Sequence, residues 1–165
     1  MQFILRPWRE SDLESLVEFG NNPKIARFMT DQFPNPFTEE KARAFIEMAS
    51  GSEPYRIMAI EVEGKAAGGI GVHPQADVYQ KNAELGYWLA EPFWGKGIIT
   101  QAIGQMVAYG FNTWNITRIY ARPYGTNIGS QKALEKAGFT LEARIEKSIF
   151  KNGEYLDELI YAIRR

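Results

Sequence analysis

The residue pattern that most clearly suggests a chemical function is a glycine loop near the middle of the chain. This loop, Trp94-Gly95-Lys96-Gly97, directly precedes a long predicted helix that begins at Ile98. The first amides of a helix have no intrahelical acceptors and lie at the positive end of the helix dipole. Glycines let a ligand approach the backbone closely. The glycine loop therefore predicts a site for a phosphate or pyrophosphate, to which Thr100 adds a hydroxyl.

A Gly-x-Gly loop by itself fits a simple strand-to-helix turn equally well. Two better-defined phosphate motifs do not match this chain. The dinucleotide fingerprint requires a third glycine where Thr100 stands, and the P-loop requires Ser or Thr after its Lys, where Gly97 follows Lys96. The loop alone therefore leaves the phosphate site and the plain turn open.

The amino-acid composition restricts the chemistry that is available. The chain has no cysteine and one histidine, which excludes thiolate nucleophiles, zinc-thiolate sites and histidine metal clusters, so we predict no metal. A Ser-His-Asp triad could use only His73, which precedes Pro74 and is interpreted as a turn residue at a strand end. Carboxylates, hydroxyls and backbone amides must then supply the chemistry.

The length and charge of the chain limit its class and its partners. Its 165 residues, 45% of them hydrophobic, predict a single domain over residues 1–165. A net charge of −1 without a Lys/Arg run argues against nucleic acid as a partner. We find no signal-peptide pattern and no run of about 20 apolar residues, and we expect a cytoplasmic protein without a membrane partner.

Hydrophobic periodicity predicts strands and helices on both sides of the glycine loop. Strands are predicted at 3–6, 55–62, 66–72, 83–90, 118–122, 139–150 and 155–163, and helices from near 11, from 38, at 98–111 and at 130–137. The strand-helix-strand unit at 83–122 implies a parallel pair, and the earlier strands are expected to be antiparallel. The predicted fold class is α/β, a mixed and mostly antiparallel sheet with one parallel pair, flanked by helices.

Four motifs follow one another in a definite order. They are Glu84-Leu85-Gly86-Tyr87-Trp88, the glycine loop with Thr100, Asn127 with Ser130, and Lys136-Ala137-Gly138-Phe139. In this order they resemble the GNAT N-acetyltransferase superfamily, most closely the ribosomal-protein N-terminal acetyltransferases. The resemblance covers essentially the whole chain. It implies the GNAT fold and an enzyme that transfers acetyl from acetyl-CoA to an amine.

The resemblance also implies which residues contact acetyl-CoA. Backbone groups of Trp88, Leu89 and Ala90 would bind the pantetheine arm and the acetyl carbonyl as an added strand does, and Asn127 would bond to the same arm. The pyrophosphate would be held by amides that start at Phe93 or Trp94 and continue through Gly95, Lys96, Gly97, Ile98, Ile99 and Thr100. The Gln or Arg that often stands three residues before the first glycine is Pro92 here, which gives more weight to backbone contacts.

Glu84 is the predicted general base. An ammonium acceptor must lose a proton before its nitrogen can attack a thioester, and a carboxylate can accept that proton directly or through water. On a strand, Glu84 shares a face with Gly86 and Trp88. The alternatives are a solvated strand glutamate and a structural salt bridge.

Ser130 is the predicted donor to the departing thiolate and is expected near the coenzyme sulfur. Many GNAT members use a Tyr seven residues after the motif Asn, and that position is Leu134 here. The alternative for Ser130 is a helix-capping hydroxyl, and Tyr124 is a second candidate donor. A thiol with a pKa near about 8.5 leaves tolerably well without a formal acid.

The acceptor is predicted to be a protein N-terminus or a small-molecule amine. It would be contacted by Phe33, Trp88 and Tyr124, aromatic residues that could equally pack in the core or in a lid. Two other functions stay open, a non-catalytic CoA-binding sensor of the same fold and a nucleotide-phosphate enzyme with the same glycine loop. A homodimer is compatible with the resemblance, and the sequence does not decide it.

Overall fold

The structure, a computed structural model, describes residues 1–51 and 53–165. Its strands are β1 Ile4–Pro7, β2 Ile57–Val62, β3 Lys65–Pro74, β4 Asn82–Leu89, β5 Arg118–Ala121, β6 Thr140–Lys151 and β7 Glu154–Arg164. Its α-helices are α1 Leu13–Gly20, α2 Pro23–Ala26, α3 Glu39–Ser50, α4 Ile98–Thr113 and α5 Ile128–Lys136. The strands form a seven-stranded sheet in the order β1-β2-β3-β4-β5-β7-β6.

The predicted sheet class is confirmed. Strands β4 and β5 are parallel, with a register from Asn82–Arg118 to Glu84–Tyr120. The β1–β2, β2–β3, β5–β7 and β6–β7 pairs are antiparallel. The sequence missed α2, because four residues are too few for a helical period, although Asn22 caps it and Pro23 occupies its first position.

His73 was interpreted as a turn residue, and the structure corrects this. It lies inside β3, which continues to Pro74. The amide of the next residue, Gln75, donates to the carbonyl of Asn82 at 2.9 Å, so the β3–β4 ladder extends past His73. No described helix is long and apolar enough to cross a membrane.

The described residues form two compact units. The first contains Met1–Gly71 and Tyr87–Ile98, and the second contains Val72–Gly86 and Ile99–Arg165. Strands β3 and β4 therefore contribute to both units. A single domain over residues 1–165 stays a prediction.

The first unit is organised around an apolar cluster beneath α1 and α3. The Trp8 ring meets the Phe45 ring edge-on, with centroids 5.2 Å apart. The buried members of this cluster are Trp8, Leu16, Ile25, Phe37, Ala42, Ile46, Ala49, Ala59, Ala66 and Trp88. Burial of these side chains holds the two helices against the sheet.

A buried ion pair within the first unit joins β1 to the segment that precedes α1. Asp12, a buried charged residue with 4% exposure, receives two hydrogen bonds from the Arg6 guanidinium at 2.7 and 2.8 Å. Arg6 also donates to Glu61 on β2. The bonds to Asp12 raise the pKa of Arg6 further above its ordinary range. The two bonds give Arg6 and Asp12 a structural role.

Replacing Asp12 by Asn is expected to destabilise the protein by about 2 kcal/mol, because a buried carboxylate that accepts two charged hydrogen bonds is lost, although Arg6 keeps Glu61 as a partner. Chemical denaturation measures this free energy of unfolding. The matched control is Glu39→Gln, since Glu39 forms an exposed i,i+4 pair with Arg43 and should lose less than about 0.5 kcal/mol. Equal losses in the two variants would contradict the buried-pair interpretation.

In the second unit, α4 packs closely on the sheet. A Cβ added at Gly110 would lie 3.2 Å from both Ile119 Cδ1 and Val72 Cγ1, so a side chain here would have to displace these two neighbours by a few tenths of an ångström. Helix α5 ends at Lys136, and Gly138, just after its C-cap Ala137, has the left-handed φ of +96° that is typical of a glycine following a helix. The Tyr161 hydroxyl donates to Glu135 at 2.8 Å and connects β7 to α5.

Tyr161→Phe is expected to lower stability by about 1–2 kcal/mol at pH 8 through loss of the Glu135 bond. Burial, together with Glu135, raises the pKa of Tyr161 to about 12. The folded state therefore favours the neutral phenol, whose unfolded pKa is about 10. The stabilisation of the folded state by the Tyr161–Glu135 hydrogen bond is fully present below pH 10 and is lost as the pH rises from 10 to 12.

The measurement is the free energy of unfolding of wild type minus that of Tyr161→Phe from pH 8 to 12. Subtraction removes the titration of groups common to both proteins. Tyr79→Phe is the control, because Tyr79 is 65% exposed. A wild-type advantage that stays constant to pH 12 would refute the assignment.

Candidate active site

The glycine loop has the backbone conformation that its glycines predict. Strand β4 ends at Leu89, a 3-10 turn spans Glu91–Phe93, and α4 begins at Ile98. Gly95 and Gly97 have φ angles of +74° and +78°, in the region that side chains disfavour. Apart from its chain neighbours, no atom of the described chain lies within 4 Å of a Cβ placed on Gly95. The space beside this glycine is open to a ligand.

The backbone amides around the glycine loop differ in whether they have an acceptor within the chain. The Phe93 amide donates to the Ala90 carbonyl at 3.0 Å, and the Trp94 amide donates to the Glu91 carbonyl at 3.1 Å. Across the described chain, no backbone carbonyl accepts from Gly95, Lys96 or Gly97. The loop amides without a backbone acceptor therefore begin at Gly95, and contact of Phe93 or Trp94 with pyrophosphate stays a prediction.

Helix α4 supplies the remaining predicted amides. Ile98, Ile99 and Thr100 are its first residues, so their amides have no acceptor within the helix. Their contact with pyrophosphate stays a prediction.

Trp94 has a side-chain role that the sequence did not reveal. Its indole Nε1 donates to the Leu89 carbonyl at 2.7 Å, while the side chain remains 41% exposed. This hydrogen bond connects the first residue of the glycine loop to the last residue of β4. A Trp five residues after a strand end was the available signal, but only the fold shows its acceptor.

Backbone hydrogen bonding at the end of β4 indicates which of the three predicted residues has an amide directed away from β3. The Ala90 amide already donates to the Ala67 carbonyl at 2.8 Å. Because backbone groups alternate in direction along a strand, the Leu89 amide points away from β3. Of Trp88, Leu89 and Ala90, Leu89 is therefore the best placed to bind an added strand-like ligand.

Two of the predicted acceptor-contacting residues pack in the apolar cluster of the first unit. Trp88 is 8% exposed, and its ring meets that of Phe33 edge-on at 5.9 Å. Phe33 also meets Phe37 at 5.4 Å. This is the packing alternative that the sequence left open, and contact with an acceptor stays a prediction.

Glu84 forms a two-point ion pair in the second unit. Arg122 Nε donates to Glu84 Oε2 at 3.1 Å, and Arg122 Nη2 donates to Glu84 Oε1 at 3.0 Å. The Glu84 side chain is 24% exposed and the Arg122 side chain is 48% exposed. The structural salt bridge considered for Glu84 is therefore present, with Arg122 as the partner that the sequence missed.

The start of α5 assigns the capping role to Asn127. Its Oδ1 accepts from the Ser130 amide at 3.2 Å, so the capping alternative for Ser130 is wrong. Capping uses the Asn127 oxygen and leaves its NH₂ group for the predicted bond to pantetheine. Ser130 is half-buried at this same helix start.

Two further positions bear on the proton donor. Leu134, which stands where many GNAT members have Tyr, is completely buried and packs in the core, so it offers no donor. Tyr124 is 8% exposed and pairs with Glu158 in an isolated β-bridge. Its role as a donor stays a prediction.

The comparisons with known proteins decide the family. The acetyltransferase (GNAT) domain model matches residues 2–140. The chain belongs to the GNAT acetyltransferase family. It is therefore an acetyl-CoA-dependent N-acetyltransferase, and the predicted fold and enzyme class are confirmed.

Three relatives illustrate this GNAT chain's position in the family. The uncharacterized N-acetyltransferase YoaA of Bacillus subtilis is 27% identical over 98% of this chain and 93% of its own length. The putative ribosomal N-acetyltransferase YdaF of the same species is 32% identical over 61% of this chain and 55% of its own length. The structure of the microcin self-immunity acetyltransferase MccE with acetyl-CoA and AMP is 28% identical, with a TM-score of 0.81 over 99% of this chain and 93% of that one.

Proposed function

We propose that this GNAT enzyme transfers acetyl directly from acetyl-CoA to a primary amine, either a protein N-terminus or a small-molecule amine. When bound, acetyl-CoA supplies the acetyl group as a thioester. The chain contains no cysteine, so a thiol-bound acyl-enzyme has no residue on which to form. Direct attack by the amine in a ternary complex is the simplest route left.

The observation that carries this proposal is the open glycine loop. Gly95 and Gly97 hold the left-handed conformation, the amides of residues 95–97 lack backbone acceptors within the described chain, and the space beside Gly95 is open. Such a loop before a helix start fits a pyrophosphate. The structure of the relative MccE with acetyl-CoA supports the same ligand.

In the proposed reaction, Glu84 accepts the proton that the ammonium group must lose. Both of its oxygens are bonded to Arg122, but a carboxylate has about four lone-pair positions, so two remain. Leu89 and Asn127 would orient the pantetheine arm. Ser130 would stand near the departing sulfur.

A CoA-binding module without turnover is the second candidate. Two observations favour it: the Glu84 carboxylate is already paired, and the usual tyrosine is replaced by the buried Leu134. The related YdaF is named a putative ribosomal N-acetyltransferase, so peptides from ribosomal proteins are the first acceptors to test. A homodimer and a cytoplasmic location are further parts of the proposal that sedimentation and fractionation can test.

An acceptor screen separates the two candidates. Purified protein with acetyl-CoA is mixed with short peptides bearing free N-termini, spermidine and an amino sugar, and free thiol is measured. Acceptor-dependent thiol release with matching acetylated product supports the enzyme. CoA binding by calorimetry without thiol release for any amine would favour the sensor.

A further inference from the structure

We propose that Arg122 is a positioning residue that fixes the Glu84 carboxylate in one orientation through two hydrogen bonds. This inference rests on the proposed function, in which Glu84 accepts a proton from the amine. Arg122 needs no contact with the substrate for this role. It acts through the carboxylate that it holds.

The geometry allows one guanidinium to fix both oxygens of Glu84. Two nearly parallel hydrogen bonds, 3.1 and 3.0 Å long, restrict rotation of the carboxylate more than a single bond would. The arginine occupies one edge of the carboxylate, and the other edge can face a water or an amine. The pair therefore presents the free lone pairs in a defined direction.

The location of the pair is set by the end of the parallel strand pairing. The β4–β5 register ends at Glu84 and Tyr120, and Arg122 follows Tyr120 by two residues, on the same face. From this point β4 continues towards Leu89 without pairing to β5. Arg122 thus holds Glu84 where β4 leaves its neighbour and continues towards the glycine loop.

The charges around the pair keep Arg122 directed at Glu84. Burial alone would lower the pKa of Arg122, but the hydrogen bonds and charge of Glu84 outweigh it and the pKa is raised. Glu158 on β7 adds a second negative charge near the guanidinium, and Tyr120 lies beside it on β5. Continuing the β3–β4 ladder from Gln75 and Asn82 places His73 opposite Glu84.

Glu142 forms ion pairs with two arginines on the same sheet, and these pairs serve as a comparison for Glu84 and Arg122, because we assign no chemistry to them. Arg118 donates to Glu142 at 2.7 Å and to Asn82 at 2.9 Å, and Arg164 donates to Glu142 at 3.1 Å. These contacts link β4, β5, β6 and β7 near the chain's C-terminus. Partly exposed pairs of this kind contribute little to folding stability, so a structural clamp alone gives Arg122 a small effect.

The test compares the removal of Arg122 with an exchange of the two charges. Arg122→Gln is expected to lower kcat about 10- to 100-fold with little change in the KM for acetyl-CoA, because the carboxylate loses its orientation. In Arg122→Ala, added guanidinium chloride at millimolar concentration should restore part of the activity. The double variant Glu84→Arg/Arg122→Glu, in which the two charges can still pair, should keep a melting temperature near that of wild type but show no turnover.

Each result supports or overturns the proposal. Full activity in the exchanged double variant, or wild-type kcat in Arg122→Gln, would show that the pair is only structural. Guanidinium should not rescue Glu84→Gln, and Arg118→Gln serves as the control that keeps wild-type kcat. If Glu84→Gln itself retains full turnover, the proposed base fails, and this outcome is separate from a failure of Arg122.

Discussion

Replacing Gly97 by Glu is expected to weaken CoA binding by about 100-fold or more, which corresponds to about 2.7 kcal/mol. Three effects act together. Gly97 has a φ of +78°, where a side chain is strained. A glutamate also brings bulk and a negative charge to a loop proposed to hold a diphosphate. The partly exposed Trp94 beside this loop allows titration by intrinsic fluorescence, with Trp94→Phe used to assign the signal.

The matched control for this prediction is Gly104→Glu. Gly104 lies on the exposed face of α4, and a Cβ there would meet no described atom within 4 Å. This variant adds the same side chain inside the helix that Gly97 directly precedes, and it should keep wild-type affinity within about twofold. Calorimetry of both variants, after thermal melting has shown that both fold, gives the comparison. Unchanged affinity in Gly97→Glu would remove the glycine loop as the pyrophosphate site.

Glu84→Gln is expected to lower kcat about 100-fold while the affinity for acetyl-CoA changes less than twofold. Glutamine has nearly the same shape and can still accept a hydrogen bond from Arg122, but it cannot take a proton from an ammonium group. Initial rates with the best acceptor from the screen give kcat, and calorimetry gives the affinity. The separation of these two quantities distinguishes a base from a coenzyme ligand.

Glu142→Gln is the matched control, because Glu142 is also a partly exposed strand glutamate paired with arginine. Arg118 and Arg164 lower the pKa of Glu142, with the hydrogen bond from Arg118 as the main cause. It carries no proposed chemistry and should keep wild-type turnover. Equal loss of kcat in both variants would assign the effect to general weakening of the sheet.

Several features of this chain are predictable from sequence because they depend on neighbouring residues. Gly138, just after α5, and the Glu63-Gly64 and Asn152-Gly153 turns have positive φ, as turn chemistry requires. The long helix after the glycine loop follows from its apolar period, and its start at Ile98 is confirmed. The short helix α2 was missed, because four residues carry no period.

Features that depend on strand register could not be predicted in the same way. Glu84 and Arg122 are 38 residues apart, and only the parallel pairing of β4 with β5 brings them together. The acceptors of the Trp94 indole and the Ala90 amide depend on where β4 ends and which strand lies beside it. A sequence pattern identifies donors, but it does not identify their acceptors.

The sequence by itself determined the mixed sheet, the glycine loop and the absence of a thiol nucleophile. These follow from residue types, hydrophobic periods and backbone preferences within a few residues. The tertiary structure decided that Glu84 is held by Arg122, that Asn127 rather than Ser130 caps α5, and that the free loop amides begin at Gly95. Such pairings arise only when distant segments pack, because a hydrogen bond depends on the positions of both partners.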